Sequence, residues 1–290
     1  MSTINPPKAL LFDVFGTLVD WRATVTHTLS TQAAHALNSP AASVPTSVRL
    51  FASTISWPDF AQEWRDTYKA FTASQLSAST KKSQKHAFKT VDQHHHDSLV
   101  RLLADHNLTG LWSADQLHAI AQIWHFIDPW LDASPALHDL SKSFILCTLS
   151  NGNVALLRDL AAHADLPFSR TLSSEHFGAY KPSPLVYNGA AEHLGLRNDQ
   201  CALVAAHLAD LKAARDCGYQ TIYVERVDEE DWGAEEVMAA RREGWVDMWI
   251  GLEDQKVSLG GLAEIRGRFA VGNGYVGGRG WGGIADQIKA

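Results

Sequence analysis

The sequence predicts an α/β fold: a doubly wound parallel sheet covered by helices on both faces, interrupted after its first strand by an all-helical unit. Three observations carry this expectation. Short, uninterrupted apolar runs end in small or polar residues, as strands buried on both faces do. Helical patterns follow the second and third of those runs, the alternation of a doubly wound sheet. Between the first run and the second, residues 21–136 show helical periodicity alone.

In chain order, Ala9-Leu-Leu-Phe12 forms the first strand and runs into Asp13. Within 21–136, Trp57, Phe60, Ala61, Trp64, Tyr68 and Phe71 recur at helical spacing, with Pro58 near a helix start. Val91, Leu99, Leu102 and Leu103 mark another helix, and Ser113-Ala-Asp-Gln116 is a capping-box pattern ahead of Leu117, Ile120, Trp124 and Ile127. Residues 38–47, rich in Ser, Pro and Ala, read as a loop. The second strand, 144–149, runs into Ser150-Asn151-Gly152, and a helix is expected over 154–166. The third, 201–204, runs into Ala205-Ala206-His207 and a helix over 208–217 that Gly218 terminates. Two further strands fall at 221–224 and 246–250. The expected boundaries are a discontinuous core of 1–20 and 137–262, a helical unit of 21–136, and a tail of 263–290. Eight of the seventeen residues from Gly267 to Gly283 are glycine, which loses too much entropy on folding to build a core element, so a flexible tail is expected.

The 290 residues (31.8 kDa) suit one substantial core with a smaller unit. Lys plus Arg is 25 against 32 for Asp plus Glu, a formal charge of −7, so a nucleic-acid partner is not expected. No run approaches the ~18 apolar residues of a membrane span. The first apolar run is broken by Asp13, too early for a signal-peptide core. Cys147, Cys201 and Cys217 have neither the number nor the spacing of a disulfide framework or a zinc site. A cytoplasmic protein with no membrane partner is the expectation.

The polar residues closing the runs should converge beyond the carboxyl ends of the strands. Asp13, followed by Gly16 and Thr17, sits where backbone N–H groups can surround a reaction centre, and an oriented aspartate is a competent nucleophile; the position also suits a turn or cap. Ser150 and Asn151 could donate to a bound anion or cap a helix. Lys181, extended by the proline after it, could neutralise Asp13 or stand in solvent. Asp210 lies near a helix N-terminus, where a carboxylate is electrostatically comfortable in either role. His94-His-His96 is not expected to bind metal, because consecutive helical residues point ~100° apart. The six tryptophans of 21–136 are expected to fill its core.

An Asp, a Ser, a Lys and an Asp in this order at strand ends resemble the haloacid dehalogenase superfamily. Asp13-Val-Phe-Gly-Thr-Leu18 resembles its first motif, Leu149-Ser-Asn-Gly152 the second, Tyr180-Lys-Pro182 the third and 204–210 the fourth. The helical unit is similar to the superfamily's cap, and the resemblance covers 9–251. It implies a Rossmann-like core with Asp13 as nucleophile. The superfamily's magnesium-dependent phosphatases place a second aspartate two positions after the nucleophile to protonate an alkoxide; Phe15 stands there instead. A halide is so weak a base that it needs no proton. A monoanionic acid can be balanced by Lys181 and one arginine, whereas a phosphate dianion beside carboxylates calls for Mg²⁺. No metal and no cofactor are therefore expected.

Phe15, Ser150-Asn151-Gly152 and the pair Trp64-Arg65 resemble the type II 2-haloacid dehalogenase branch. This implies displacement of halide from a small (S)-2-haloalkanoic acid by Asp13, then hydrolysis of the aspartyl ester. In that scheme Lys181 neutralises Asp13, Thr17 holds the nucleophile loop, and Ser150 and Asn151 bind the carboxylate or halide. Arg65 abstracts halide and Asp210 serves the hydrolytic water. The fourth motif departs from the branch: Ala205 and His207 replace serine and asparagine, and Ala209 a tryptophan. His207 could support the water or satisfy a backbone group. A magnesium-dependent phosphatase, a strained-ring hydrolase and a non-catalytic binding protein on this fold stay open. An apolar cap face could also serve a homodimer.

Overall fold

Six strands pair through backbone hydrogen bonds into a single parallel sheet. A computed structural model describes residues 6–39, 44–79, 88–251 and 261–272 of the chain. The strands are β1 (Ala9–Phe12), β2 (Ile145–Ser150), β3 (Arg170–Ser173), β4 (Cys201–Ala205), β5 (Gln220–Val224) and β6 (Met248–Ile250). Their spatial order is β3-β2-β1-β4-β5-β6, with Phe12 opposite Thr148 on one side and Val204 on the other. Successive strands step away from β1 in opposite directions, so the topological switch point lies at the carboxyl end of β1.

The apolar runs are explained by burial on both faces. Leu10, Phe12, Leu146, Ala202 and Val204 enter one core, while Ala9, Leu11, Cys147, Leu149 and Leu203 enter a second beneath the sheet. The structure adds β3, which carried no apolar run. It is an edge strand of sequence Arg-Thr-Leu-Ser whose first residue is exposed.

Between β1 and β2 the chain is helical: α1 (Trp21–Asn38), α2 (Thr46–Ala52), α3 (Trp57–Ser79), α4 (Val91–Asp105), α5 (Ala114–Ala121) and α6 (Ala133–Leu140). Thr90 and Ser113 close capping boxes on α4 and α5. Trp64, wholly buried, meets Trp124 edge-on at 5.3 Å, and Trp124 stacks on Trp21 at 6.0 Å. The three consecutive histidines diverge: His94 stacks on Phe71, His95 stacks on Trp124, and His96 lies beside Asp97. Among the described residues no three His, Cys, Asp or Glu side chains gather to hold a metal ion. Thr46, expected in a loop, opens α2, and residues 40–43 of that loop lie outside the described residues.

The core helices follow as α7 (Val154–His163), α8 (Ser174–Phe177), α9 (Pro184–His193), α10 (Leu208–Asp216), α11 (Ala234–Glu243) and α12 (Glu264–Gly272). Two of these outcomes differ from the expected boundaries. Helix α6 runs across 136/137, because Ala136, Leu137 and Leu140 share one buried face. The expected tail begins with structure: α12 buries Ile265, and Phe269 meets Phe144 at 5.9 Å, so apolar contacts outweigh the entropy of Gly267. Residues 273–290, the rest of the glycine-rich stretch, lie outside the described residues. No described helix is long and apolar enough to cross a membrane.

Candidate active site

Asp13 follows β1 directly at the switch point, its backbone N–H bonded to the Val204 carbonyl at 3.0 Å. Its side chain is nine-tenths buried, which alone would favour the neutral acid. Donors reverse that. Lys181 Nζ donates to Oδ1 at 2.9 Å, Thr17 Oγ1 to Oδ2 at 3.1 Å, and His207 Nδ1 lies 3.2 Å from Oδ2. Burial raises the Asp13 pKa, but Lys181 and His207 together hold it well below the usual carboxylate range. Asp13 is therefore an anion at neutral pH, poised in a dry setting.

Lys181 reaches Asp13 from the loop before α9. Its other partner is Asp210 Oδ2 at 2.6 Å, in the first turn of α10. Burial opposes the ammonium charge, yet the two carboxylates outweigh it and raise the pKa above the ordinary value. Tyr187 of α9 donates to Asp210 Oδ1 at 2.6 Å. All four carboxylate oxygens of Asp13 and Asp210 thus face a donor of the chain.

Thr17 is fully buried and accepts from the Ala206 N–H at 2.9 Å while donating to Asp13, tying the β1 loop to the β4 loop. His207 stands at the N-cap position of α10 without capping it. Its ring nitrogens face Asp13 and, 3.5 Å away, Glu229 Oε2, rather than a backbone group. Burial disfavours its charge, but hydrogen bonds to Asp13 and Glu229 raise its pKa to about 9.

Asn151 is engaged within the protein. Its carboxamide oxygen accepts from the Lys181 N–H at 2.8 Å and the Ser174 hydroxyl at 2.6 Å, so the end of β2 braces the lysine loop. Ser150 is buried and accepts from the Gly152 N–H at 3.3 Å. Tyr68 of α3 lies beside Asn151, Asp13 and Arg65, and burial raises the pKa of its hydroxyl.

Arg65, one turn earlier on α3, is only 6% exposed. Its guanidinium lies 4.7 Å from the Tyr68 ring centroid, 5.5 Å from that of Trp21 and 5.8 Å from that of Phe15. It has no hydrogen bond or ion pair among the described residues. A buried arginine without an anion is costly unless a ligand supplies the charge. Phe15 packs against Trp124 and over Gly152, so no carboxyl group occupies its position.

The structure thus gathers Asp13, Thr17, Lys181, Asp210 and His207 into one hydrogen-bonded cluster, with Asn151 behind the lysine and Phe15 and Arg65 on its cap side. Sequence reasoning passed over Tyr187, Tyr68 and Glu229. Tyr187 had a faint signal, lying on the buried face of α9 six residues after Lys181. Glu229 had none, being one of several acids between β5 and α11.

A family model described as haloacid dehalogenase-like hydrolase matches residues 7–218. The chain is similar to (S)-2-haloacid dehalogenase 4A of Burkholderia cepacia, 32% identical over 98 residues that cover 33% of this chain and 42% of the relative. It is also similar to (S)-2-haloacid dehalogenase 1 of Pseudomonas sp. strain CBS-3, 26% identical over 117 residues, or 39% and 52% of the two chains. The chain therefore spans about half the length of the curated relatives it matches. Two solved structures are similar over more of their length. One is an L-2-haloacid dehalogenase (TM-score 0.67, 31% identity), covering 84% of this chain and 95% of that one. The other is a defluorinating L-2-haloacid dehalogenase (TM-score 0.70, 26% identity), covering 91% and 95%.

Proposed function

Because the chain belongs to the haloacid dehalogenase-like hydrolases, we propose that it hydrolyses the carbon–halogen bond of small (S)-2-haloalkanoic acids, giving 2-hydroxy acids through an ester on Asp13. The observation that carries this reading is the pairing of Phe15 with Arg65. Where an acid would protonate a departing alkoxide, an aromatic ring lies beneath a buried guanidinium that has no anion of its own among the described residues. That arrangement suits a leaving group that departs as an anion and needs no proton.

In the first step an oxygen of Asp13 attacks C2 from the face opposite the halogen. The C–O bond forms as the C–X bond breaks, the configuration inverts, and the halide leaves with the bonding pair toward Arg65. Lys181 keeps Asp13 ionised and aimed, and burial leaves the nucleophile without a water shell to shed. In the second step water adds to the Asp13 carboxyl carbon. Asp210, held by Lys181 and Tyr187, orients that water and takes its proton. Collapse returns that proton to the departing alkoxide, and the Asp13 acid that is left loses the water's second proton to solvent, restoring the carboxylate. The chain's own donors already meet every carboxylate oxygen of Asp13 and Asp210, which supports chemistry without a metal.

The test is chloride release from (S)-2-chloropropionate in the presence of EDTA. Stoichiometric chloride and (R)-lactate are expected, with loss of more than about a thousandfold in Asp13→Asn, since removing a covalent nucleophile removes the pathway. Magnesium-dependent phosphate release from monoesters, without chloride release, would overturn the reading in favour of a phosphatase.

A further inference from the structure

Behind His207 lies a second carboxylate that the mechanism above does not use. Glu229 sits in the loop between β5 and α11, is 5% exposed, and turns Oε2 toward His207 Nε2 at 3.5 Å. Its place beside the nucleophile loop depends on Gly16. A Cβ on Gly16 would stand 2.0 Å from Glu229 Oε2 and 2.6 Å from Cδ, and the backbone there has φ +82°. Only glycine at that position leaves room for the carboxylate. Next to it, Glu230 accepts from the Leu208 N–H at 2.9 Å, pinning the same loop to the start of α10 directly after His207. Arg226 donates to the Thr17 carbonyl at 3.0 Å, fixing the loop to the other donor of Asp13.

An imidazole with Nδ1 3.2 Å from one carboxylate and Nε2 3.5 Å from another sits between two anions, which favour the ring that carries a proton on each nitrogen. With Glu229 on one side and Asp13 on the other, His207 is held as an imidazolium whose Nδ1–H points at Asp13 Oδ2. Thr17 Oγ1 aims at the same oxygen. Two donors on Oδ2, and Lys181 on Oδ1, differentiate the two oxygens of the nucleophile.

Resting on the dehalogenase reading, we propose that Glu229 is a positioning residue that holds His207 as an oxyanion donor for hydrolysis of the Asp13 ester. Oδ1 forms the bond to C2 and Oδ2 remains the ester carbonyl. When water adds to the carboxyl carbon, the C=O π pair moves onto Oδ2, where Thr17 Oγ1–H and His207 Nδ1–H meet the charge. Collapse restores that C=O bond and breaks the bond from the carboxyl carbon to Oδ1, releasing the alkoxide, which takes the proton that Asp210 removed from the water; the water's second proton leaves the Asp13 acid for solvent. His207 keeps both of its protons throughout. Halide departure precedes this charge and does not draw on Glu229. The substitution of histidine in the fourth motif thereby acquires a function: it supplies a cationic donor for the second step, and Glu229 is its counter-ion.

The test is a rapid-quench experiment on the full chain with (S)-2-chloropropionate, comparing wild type, Glu229→Gln and His207→Gln. Chloride is read with time, and the adduct on Asp13 by intact mass and peptide mapping. Glu229→Gln is expected to release about one chloride per active site at close to the wild-type rate and then turn over at least tenfold more slowly, with the ester accumulating. His207→Gln, which also removes a partner of the Asp13 carboxylate, is expected to slow ester breakdown more severely and to slow the burst as well. A thermal melt establishes that each variant is folded; where Glu229→Gln does not fold, Glu229→Asp carries the same test. An active wild type with Glu229→Gln turning over at its rate overturns the inference alone, as does a variant that loses burst and turnover together without ester. A wild type that releases no chloride overturns the dehalogenase reading and this inference with it.

Discussion

Asp13 owes its character to neighbours that are mostly donors. Burial by itself would protonate it, while Lys181, Thr17 and His207 make the anion the stable form. His207 is the member whose charge changes within reach of ordinary buffers. The charged groups facing it are Asp13 at the end of β1 and Glu229 in the loop after β5. Its pKa is raised from the ordinary 6.5 to about 9, so the imidazolium persists through neutrality and is lost as the pH climbs through about 9. Turnover is expected to fall along that alkaline limb, and a kcat profile from pH 6 to 10.5 measures it. The same sign governs stability: the contribution of His207 is complete below about 6.5 and disappears as the pH rises through about 9. At this scale the sequence pointed to Asp13, directly after a strand, and to Asp210, in the first turn of a helix, whereas Lys181 reaches them from the loop before α9 rather than from a strand end. Glu229 was illegible, because its approach is set by the path of a loop and by the missing side chain of Gly16. The carboxamide oxygen of Asn151 accepts from the Lys181 loop, a contact that spans thirty residues and leaves no local pattern.

Elements with two buried faces were the legible ones. Strands β1, β2 and β4 are almost wholly buried, so their apolar runs are continuous; β3, with one exposed end and a single buried leucine, gave no run to read. Helix α1 buries Trp21, Val25, Leu29, Ala33 and Ala36 at helical spacing, but two of the five are alanine and further alanines, Ala23 and Ala34, fall outside that buried stripe, which blurs the contrast between its faces. Helix α12 shows that glycine content alone misjudges a segment when Ile265 and Phe269 can reach the core. Helix α3 matters most to the site, since it carries both Arg65 and Tyr68. Its inner anchor is Trp64, whose indole N–H donates to Ser98 on α4 at 3.0 Å. Trp64→Ala is expected to cost about 3–5 kcal/mol of unfolding free energy, read by denaturant titration. It should also weaken substrate affinity more than Asp13 alkylation itself, because Arg65 loses its fixed neighbour.

Across the whole molecule, the loop after β5 joins the two layers around the site. Asp231 pairs with Lys69 on α3 at 2.6 Å, and the Asp228 carbonyl accepts from Arg22 on α1 at 3.0 Å. Beyond the site, His125 lies between Asp92 of α4 and Asp159 of α7, and Tyr180 donates to the Lys89 carbonyl at 2.6 Å. The helix that carries Arg65 is thereby tied to the sheet that carries Asp13, as the proposed attack by Asp13 beside Arg65 requires. The net charge of −7 does not describe this place. Locally Lys181, His207 and Arg65 gather positive charge around Asp13. In the proposed reaction the oxygen entering the product comes from Asp13 and water restores the enzyme. A single turnover of (S)-2-chloropropionate in H₂¹⁸O with enzyme in excess tests it directly. ¹⁸O is expected in the Asp13 carboxylate, with unlabelled lactate; ¹⁸O in the first lactate, with Asp13 unlabelled, rules out the ester on Asp13.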